Sequence, residues 1–567
     1  MSESTDTFLS TLRWPARLGL LALSVLLLSL ALAPVYQFYL AWIALVPWFF
    51  VIASTRTKKA AFLWSWLGGT LFFFANMWWL WKVTIPGMFA LLIYLGLFWG
   101  FTAVVFIAFR WRAIHPALSV LLIATSFTAL EWARGNWSMF GNQGLPWLYL
   151  GNTQSPFLLM CQVADIGGVY AVTFWVVLVN GAIFFAIIHR GRAVGAVLLV
   201  LLFIAATGAY GLLRKHQWRP SAGAVNVLVV QPSYPQSNTG EKGAPLQEIV
   251  GFHLSTTKAA LADCKQQGVA VDLIAWSETM MPALNPSMRQ VARGTKFGDF
   301  LNQTFNDLAN LANESGAAMI VGGAFSDDWV VRNTDELVSR DRRNSAYFIE
   351  RTGLFSEKRY DKIHLVPFGE FIPFSSIGFI HAILMKLGPS GYEDYVLTPG
   401  NQNAITVFEL PKMIAASSDD KLVTYRFVVP ICFEDIVGPL CAKMVRGPDG
   451  TKRADFLVNI TNDGWFTGGQ MSQHLQAAVF RSIENRVPTA RAVNTGVSGF
   501  IDSYGRVFNT VSAKTEGWSV GQLTIDPRVT FYTKHGDVFV QICAVITSIV
   551  IVAQITRAQS KPKGTTT

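Results

Sequence analysis

The apolar positions along the chain fall into two regimes. In the first, runs long enough to cross a bilayer as helices, which takes about 20 mostly apolar residues, occupy roughly 17–34, 37–55, 60–82, 88–109, 117–134, 166–188 and 194–213, with an eighth at 536–556. The first run is too long and too poorly terminated for a cleaved leader. From Ala224 the period shortens. Residues 227–231 form a short β-branched run, 246–267 carry apolar side chains at helical spacing, and 271–276 read as a buried strand. A helix over 297–313, strands at 317–323, 344–350, 426–431 and 456–460, and a helix over 472–485 continue the series. Such alternation predicts a layered α/β domain. The expected organisation is a seven-helix membrane domain over 1–215, an extramembrane domain over 220–533, and an eighth spanning helix with a tail over 534–567. The polar stretch 327–343 reads as a surface excursion. Gly144-Leu-Pro-Trp147 reads as part of an interfacial aromatic belt, or as a lipid-entry rim.

Composition sharpens the division. Of the 567 residues only 14% are charged, against roughly a quarter in an ordinary soluble domain. Between residues 15 and 213 the acids are Glu131 and Asp165, two of 36 in the chain. A wholly soluble protein is excluded. So is an all-membrane one, since the remaining length suffices for one large domain. Loop cations give the orientation. With the N-terminus inside, the inside segments hold Arg13, Arg17, Arg56, Lys58, Lys59, Arg110, Arg112, Arg190, Arg192, Arg557, Lys561 and Lys563, against Lys82, Arg134, Arg214, Lys215 and Arg219 outside. Residues 220–533 are then expected outside the cytoplasm. The same cations account for much of the net charge of +10. With no recognition helix or basic–aromatic platform, a nucleic-acid partner is not expected. Five scattered cysteines without a CxxC argue against a disulfide framework or a metal site, and no cofactor is expected.

Three residues capable of chemistry sit where strands end, the place at which α/β folds collect their reactive groups. Glu278 lies in IAWSETMMP over 274–282; it is a general base if desolvated, or else a helix cap or surface carboxylate. Lys362 lies in YDKIHLVPFGEFIP over 360–373, a loop whose prolines and glycine rule out a regular element. Fixed there it could steady an oxyanion; otherwise it is a solvated lysine. In the same loop His364 reads as a packed histidine rather than a base, and Glu370 as a partner for Lys362 or for another cation. Cys432, in VVPICFED over 428–435, is delivered by a buried strand to the start of an expected helix, whose N–H groups and dipole would favour a thiolate. Its alternative is buried filler, the reading kept for Cys161, Cys264, Cys441 and Cys543.

Together the three segments resemble the carbon–nitrogen hydrolase (nitrilase) superfamily, whose Glu–Lys–Cys triad runs in this chain order. Glu278 stands in WSETMMP, Lys362 in YDKIHLVPFGEFIP and Cys432 in PICFED, and NITNDGWF at 459–466 is similar to the segment that comes after the cysteine there. Such a domain between seven spans and an eighth resembles the apolipoprotein N-acyltransferase family over nearly the whole chain. The resemblance implies an αββα sandwich beside a polytopic helical membrane domain, in a bacterial inner membrane with the catalytic domain facing the periplasm. It implies an acyl chain taken from a membrane phospholipid, with phosphatidylethanolamine the expected donor, onto Cys432 as a thioester. The chain then passes to the α-amine of the N-terminal diacylglyceryl-cysteine of an apolipoprotein. Glu278 is the implied base, Lys362 and the N–H of Phe433 the oxyanion donors, and Glu370 and Glu434 further acids orienting Lys362 and the amine. Two departures are visible. Phe433 stands where well-known members carry tyrosine, and 238–241 replace a tryptophan that some members use to clamp the acyl chain. Loops 367–373 and 388–400 are candidates for movement. A monomer is expected, because the spans hinder the back-to-back pairing of soluble relatives. The rival readings are a tethered amidase with water as acceptor, and a transporter with an outer domain, which would carry ionisable residues within its spans.

Overall fold

The structure, a computed structural model, describes residues 12–136, 144–217, 223–236, 242–332, 336–367, 369–372, 377–387, 396–414 and 421–559. The described residues fall into two compact units, one within the bounds Met1–Trp81, Ile85–Gln217 and His535–Thr567, the other within Lys82–Thr84 and Trp218–Lys534.

In the first unit six helices among the described residues are long and apolar enough to cross a membrane: Trp14–Ala31, Lys58–Lys82, Ile85–Ala108, Pro116–Asn136, Ala164–His189 and Gly191–Gln217. Two further apolar helical segments, Phe38–Ala53 and Val538–Gln554, are shorter. The stretch expected as a second span is divided. Phe38–Trp42 forms a 3-10 turn and Val46–Ala53 an eight-residue helix, with Pro47 in its first turn, where the missing N–H costs nothing. The interior is aromatic, with Trp111 and Phe184 stacked at 5.0 Å and Trp48 against Trp99 at 4.9 Å. Trp147 is buried against Trp79 at 5.6 Å rather than standing in an exposed belt. Its loop is tied down by two buried charges of Pro116–Asn136. Arg134 donates to the carbonyls of Leu145 (3.1 Å) and Trp147 (2.7 Å), and Glu131 accepts from the N–H of Leu150 (2.7 Å) and the hydroxyl of Thr173 (2.6 Å). These contacts hold a loop in place, and give the two charges a structural use other than lining an ion pathway.

The second unit contains, among the described residues, the strands β1 (Ala224–Gln231), β2 (Leu273–Met281), β3 (Ala318–Arg332), β4 (Glu336–Ile349), β5 (Phe355–Asp361), β6 (Phe408–Ile414), β7 (Lys421–Val428), β8 (Phe456–Thr461), β9 (Thr489–Val493), β10 (Ser498–Ile501), β11 (Val507–Val511) and β12 (Gly517–Thr524). They build two six-stranded sheets, ordered β12-β1-β2-β3-β4-β5 and β11-β10-β9-β8-β7-β6. Each sheet has a parallel centre, β1-β2-β3 or β7-β8-β9, and antiparallel edges. The two-residue period of a strand explains the layering. Val227, Val229, Leu273, Ala275 and Ile320 join Phe427, Val458 and Ala490 in one core between the sheets. Their neighbours Leu228, Val230, Ile274, Trp276 and Val321 face the opposite way, into a second core with Ile249 of Leu246–Gln266 and Leu301 and Leu308 of Lys296–Ser315. Strands covered on both faces read as unbroken apolar runs, which is how β1 to β3 look in the sequence. The architecture is an αββα sandwich.

Of the stretch expected as a surface excursion, residues 327–332 and 336–343 are the outer part of a long ordered hairpin. β3 and β4 pair antiparallel from Met319 with Ile349 out to Arg332 with Glu336. Trp329, Val330, Val331 and Val338 supply the β-forming side chains, and the returning strand brings Arg342 and Arg343 back to a cleft beside Glu278.

Candidate active site

Glu278 is aimed by an irregularity. The register of β2 on β3 shifts between Trp276 and Met281, and Thr279 takes a φ of +55°, a conformation that costs a β-branched residue strain and that gathers at functional positions. Close approach of the backbones is needed too. A Cβ on Gly322 would lie 2.5 Å from the carbonyl oxygen of Ser277 and 2.6 Å from Cα of Glu278. Gly322→Ala is therefore expected to displace the Glu278 backbone and to cost about 1–3 kcal/mol, in the range of overpacking, read as a fall in thermal midpoint.

Around that carboxylate a closed polar cluster forms. Lys362 Nζ, on a side chain 1% exposed, donates to Glu278 Oε1 at 3.1 Å and to Glu370 Oε1 at 2.8 Å. Asn344 Nδ2 donates to the same two oxygens at 2.6 and 3.1 Å. Glu278 Oε2 accepts the backbone N–H of Asn462 at 2.7 Å, and Glu370 Oε2 that of Val366 at 2.8 Å. Burial by itself would strip Lys362 of its proton, but the two carboxylates hold its pKa well above the usual lysine range. Burial raises the Glu278 pKa, and Glu370 adds to the shift while Lys362 opposes it. The result is a lysine that stays cationic beside a carboxylate ready to accept a proton.

Cys432 comes after β7 and an isolated parallel bridge between Ile431 and Ile460, and takes a φ of +51°. The α-helix expected to start at the cysteine does not start there. Residues Cys432–Ile436 make a five-residue 3-10 turn, and the α-helix Gly438–Val445 begins beyond it. So short a turn adds little dipole. Burial and the Glu278 charge push the thiol pKa well up, against the pull of Lys362. The resting group is a thiol, and a base must take its proton.

Glu434 is wholly buried but does not touch Lys362. It accepts the N–H groups of Ile431 (2.7 Å), Ile363 (2.7 Å) and His364 (2.9 Å) and the hydroxyl of Tyr360 (2.9 Å). It thus braces the lysine loop against the cysteine loop, and burial holds its pKa up at about 7. Phe433 stacks on His364 at 5.6 Å and 24°. Burial and the nearby Lys362 cation push His364 down to about 4, so it is the neutral packed histidine expected from its apolar neighbours.

Behind the cysteine, His474 Nε2 meets Asp435 at 2.7 Å and Nδ1 meets Asp463 at 3.0 Å. Asp435 also pairs with Arg491, and Asp463 accepts from Gln470 at 3.0 Å. Burial opposes the imidazolium, yet the two carboxylates raise His474 to about 9. Its folded value lies above its unfolded value of about 6.5. The stability it contributes is therefore complete below about pH 6.5 and lost as the pH rises through about 9. Thermal midpoints of the detergent-solubilised chain are expected to fall over that window, and His474→Gln to flatten the fall.

Glu278, Asn344 and Glu370 open onto a cleft of about 460 Å³, lined also by Lys242, Leu246, Met281, Phe297, Arg342, Arg343, Leu397 and Trp465. That size falls in the usual range for small-molecule sites. Of the loops expected to move or clamp, 237–241, 368, 373–376 and 388–395 lie outside the described residues. Asn344 and Asn462 are the site residues that the sequence reading missed. The first was read only as the start of a strand. Asn462 lies within the NITNDGWF segment, and its backbone N–H, which no side-chain pattern announces, makes the contact.

A buried Glu278–Lys362 pair acting on a half-buried Cys432, on an αββα sandwich joined to a helical unit of membrane-spanning composition, points to a membrane-bound protein of the carbon–nitrogen hydrolase class. Residues 250–531 match the carbon–nitrogen hydrolase family, and residues 24–182 match the apolipoprotein N-acyltransferase N-terminal domain. The chain is 30% identical over 536 residues to an apolipoprotein N-acyltransferase of Geobacter metallireducens, covering 90% of each chain. It is 28% identical over 537 residues to that of Chlorobaculum tepidum, covering 91% of this chain and 92% of the other. An amidase from Nesterenkonia sp. aligns at 16% identity with a TM-score of 0.33, over 57% of this chain and 98% of its own. The chain belongs to the apolipoprotein N-acyltransferase family.

Proposed function

We propose that this enzyme transfers an acyl chain from a membrane phospholipid, through a thioester on Cys432, to the α-amine of the N-terminal diacylglyceryl-cysteine of apolipoproteins. The observation that carries the reading is the buried Lys362 held between Glu278 and Glu370, with both Glu278 and Lys362 acting electrostatically on the Cys432 thiol. In the first half-reaction Glu278 takes the thiol proton as Sγ attacks the ester carbonyl. The Lys362 ammonium and the N–H of Phe433 hold the oxyanion; one such donor contributes about 100–1,000-fold in rate. The tetrahedral intermediate expels the glycerol alkoxide, which receives the proton from Glu278 and leaves as lysophospholipid. In the second half-reaction the amine attacks the thioester, Glu278 takes a proton from nitrogen, and the thiolate departs and is reprotonated. Glu370 keeps Lys362 in place. Glu434 keeps the two loops together through their backbones, and Phe433 serves by its N–H and by its stacking on His364.

The membrane unit supplies a reason for this chemistry to use a lipid donor. The positive-inside distribution supports a bacterial inner-membrane setting with the catalytic unit on the periplasmic side. The test is the intact mass of the detergent-purified chain after incubation with phosphatidylethanolamine. One acyl adduct, removed by neutral hydroxylamine and discharged by an amine-terminated diacylated lipopeptide, is the expected result. An adduct discharged by water alone at the same rate would replace the acyltransferase with a tethered hydrolase that uses water as acceptor.

A further inference from the structure

One side chain ties the cysteine turn to the turn that supports the base. Asp435 lies in the Cys432–Ile436 turn, and Asp463 opens the 3-10 turn Asp463–Trp465 after β8. His474, on the helix Gln470–Asn485, reaches the two with its opposite ring nitrogens, Nε2 to Asp435 Oδ1 at 2.7 Å and Nδ1 to Asp463 Oδ1 at 3.0 Å. The three side chains are 1–3% exposed. Both nitrogens face carboxylate oxygens, so both donate and the ring is an imidazolium. Each end of this bridge bears on the chemistry. Cys432 heads the turn to which Asp435 belongs, and the neighbour of Asp463 is Asn462, whose backbone N–H holds Glu278 Oε2 at 2.7 Å. The two acids are not equally supported. Asp435 also pairs with Arg491. The further donor to Asp463 is a neutral one, Gln470, and Asp463 Oδ2 has no hydrogen-bond partner among the described residues. Burial, Glu278 and then Asp463 push the Cys432 thiol up, so an unanswered Asp463 charge works against the nucleophile.

We propose that His474 is a positioning residue for the transfer: by bridging Asp435 and Asp463 it sets the separation of the Cys432 thiol from Glu278, and it offsets the Asp463 charge that acts on that thiol. This rests on the acyltransfer reading of the site. The Glu434 brace joins the cysteine turn to the lysine loop. The His474 bridge joins the same turn to the support of the base, so the two fix different distances. His474 is not among the residues that line the cleft, and its loss is therefore felt in the transfer and not in the hold on lipid. The sensitivity comes from geometry, since a misplacement of about 1 Å between reacting groups costs about 100-fold in rate.

The experiment uses the full-length chain in detergent with phosphatidylethanolamine, reading adduct formation on Cys432 by intact mass across lipid concentrations, alongside thermal midpoints. His474→Gln removes the charge and the two-sided reach of the ring. It is expected to lower the limiting rate about 100-fold while the half-saturating lipid concentration stays within about twofold. Gln470→Met, a milder variant that removes the other donor to Asp463, is expected to show the same split at about threefold to tenfold. Alkylation by iodoacetamide reads the thiol without any lipid, because Cys432 is half-buried and the other four cysteines are buried. His474→Gln is expected to slow it about tenfold, the factor given by one pH unit of thiol acidity. A change confined to the half-saturating concentration, or unchanged limiting and alkylation rates in both variants, would overturn the positioning role. So would an equal rate loss in Cys441→Ala at the same fall in thermal midpoint. A wild type that alkylates but forms no lipid adduct would instead remove the acyltransfer reading, and the alkylation ratio would then decide the bridge alone.

Discussion

Cys432→Ala is expected to abolish the acylated species and to lower turnover by about 10⁴-fold or more, the scale seen when a covalent nucleophile is removed. The size follows from the chemistry: Cys432 is the thiol on which the Glu278 and Lys362 charges act, and the cleft beside Glu278 is lined by no cysteine among the described residues. The control is Cys441→Ala. That thiol is buried in Gly438–Val445 and donates to the Glu434 carbonyl at 3.4 Å, so its loss is expected to cost about 1–2 kcal/mol of stability and to leave the adduct intact. Intact mass after incubation with phospholipid separates the two. An adduct on Cys432→Ala, or equal loss in both variants with matched unfolding, would remove Cys432 from the mechanism.

Lys362→Met should produce the second large effect, on two measurements at once. Removing the ammonium deletes an oxyanion donor, an expected loss of about 100–1,000-fold in adduct formation. It also leaves Glu278 and Glu370 sharing a buried site without their cation, a situation that costs about 3–5 kcal/mol unless a proton is taken up. The two parts can be divided. Lys362→Met combined with Glu370→Gln removes one of the opposed charges and is expected to recover most of the thermal midpoint while recovering none of the rate. Recovery of both would assign Lys362 a structural role alone.

The sequence made the parallel centre of the first sheet easy to find, because β1 to β3 are buried on both faces and read as unbroken apolar runs. The edge strands β5, β6, β11 and β12 went unseen. Their exposed faces carry polar residues, as in FSEKRYD of β5, and β7 (KLVTYRFV), next to the edge, was recognised only at its buried end. The long β3–β4 arm was hidden by its charge, since a hairpin that faces solvent has no core period to announce it. The second predicted span looked continuous because hydropathy records composition and not the turn between Trp42 and Val46. At the site, chain order and strand ends pointed to Glu278, Lys362 and Cys432. What could not be read was every contact made through a backbone: Asn462 to Glu278, Val366 to Glu370, and the three N–H groups that Glu434 collects. The thiolate expectation failed for a related reason. A strand–Cys–acid sequence cannot tell a 3-10 turn from the first turn of an α-helix.

The Glu434 carboxylate has a further consequence, for how such enzymes can be recombined. Because one side chain from the cysteine loop closes on Tyr360, Ile363 and His364, segments 360–364 and 431–436 form a single inheritable cassette, although about 70 residues of chain separate them. A chimera that takes both from one parent keeps the brace matched. One with a crossover between them sets a carboxylate from one parent against a backbone contour from the other. A crossover before residue 360 or after residue 436 leaves both segments with one parent and the brace matched.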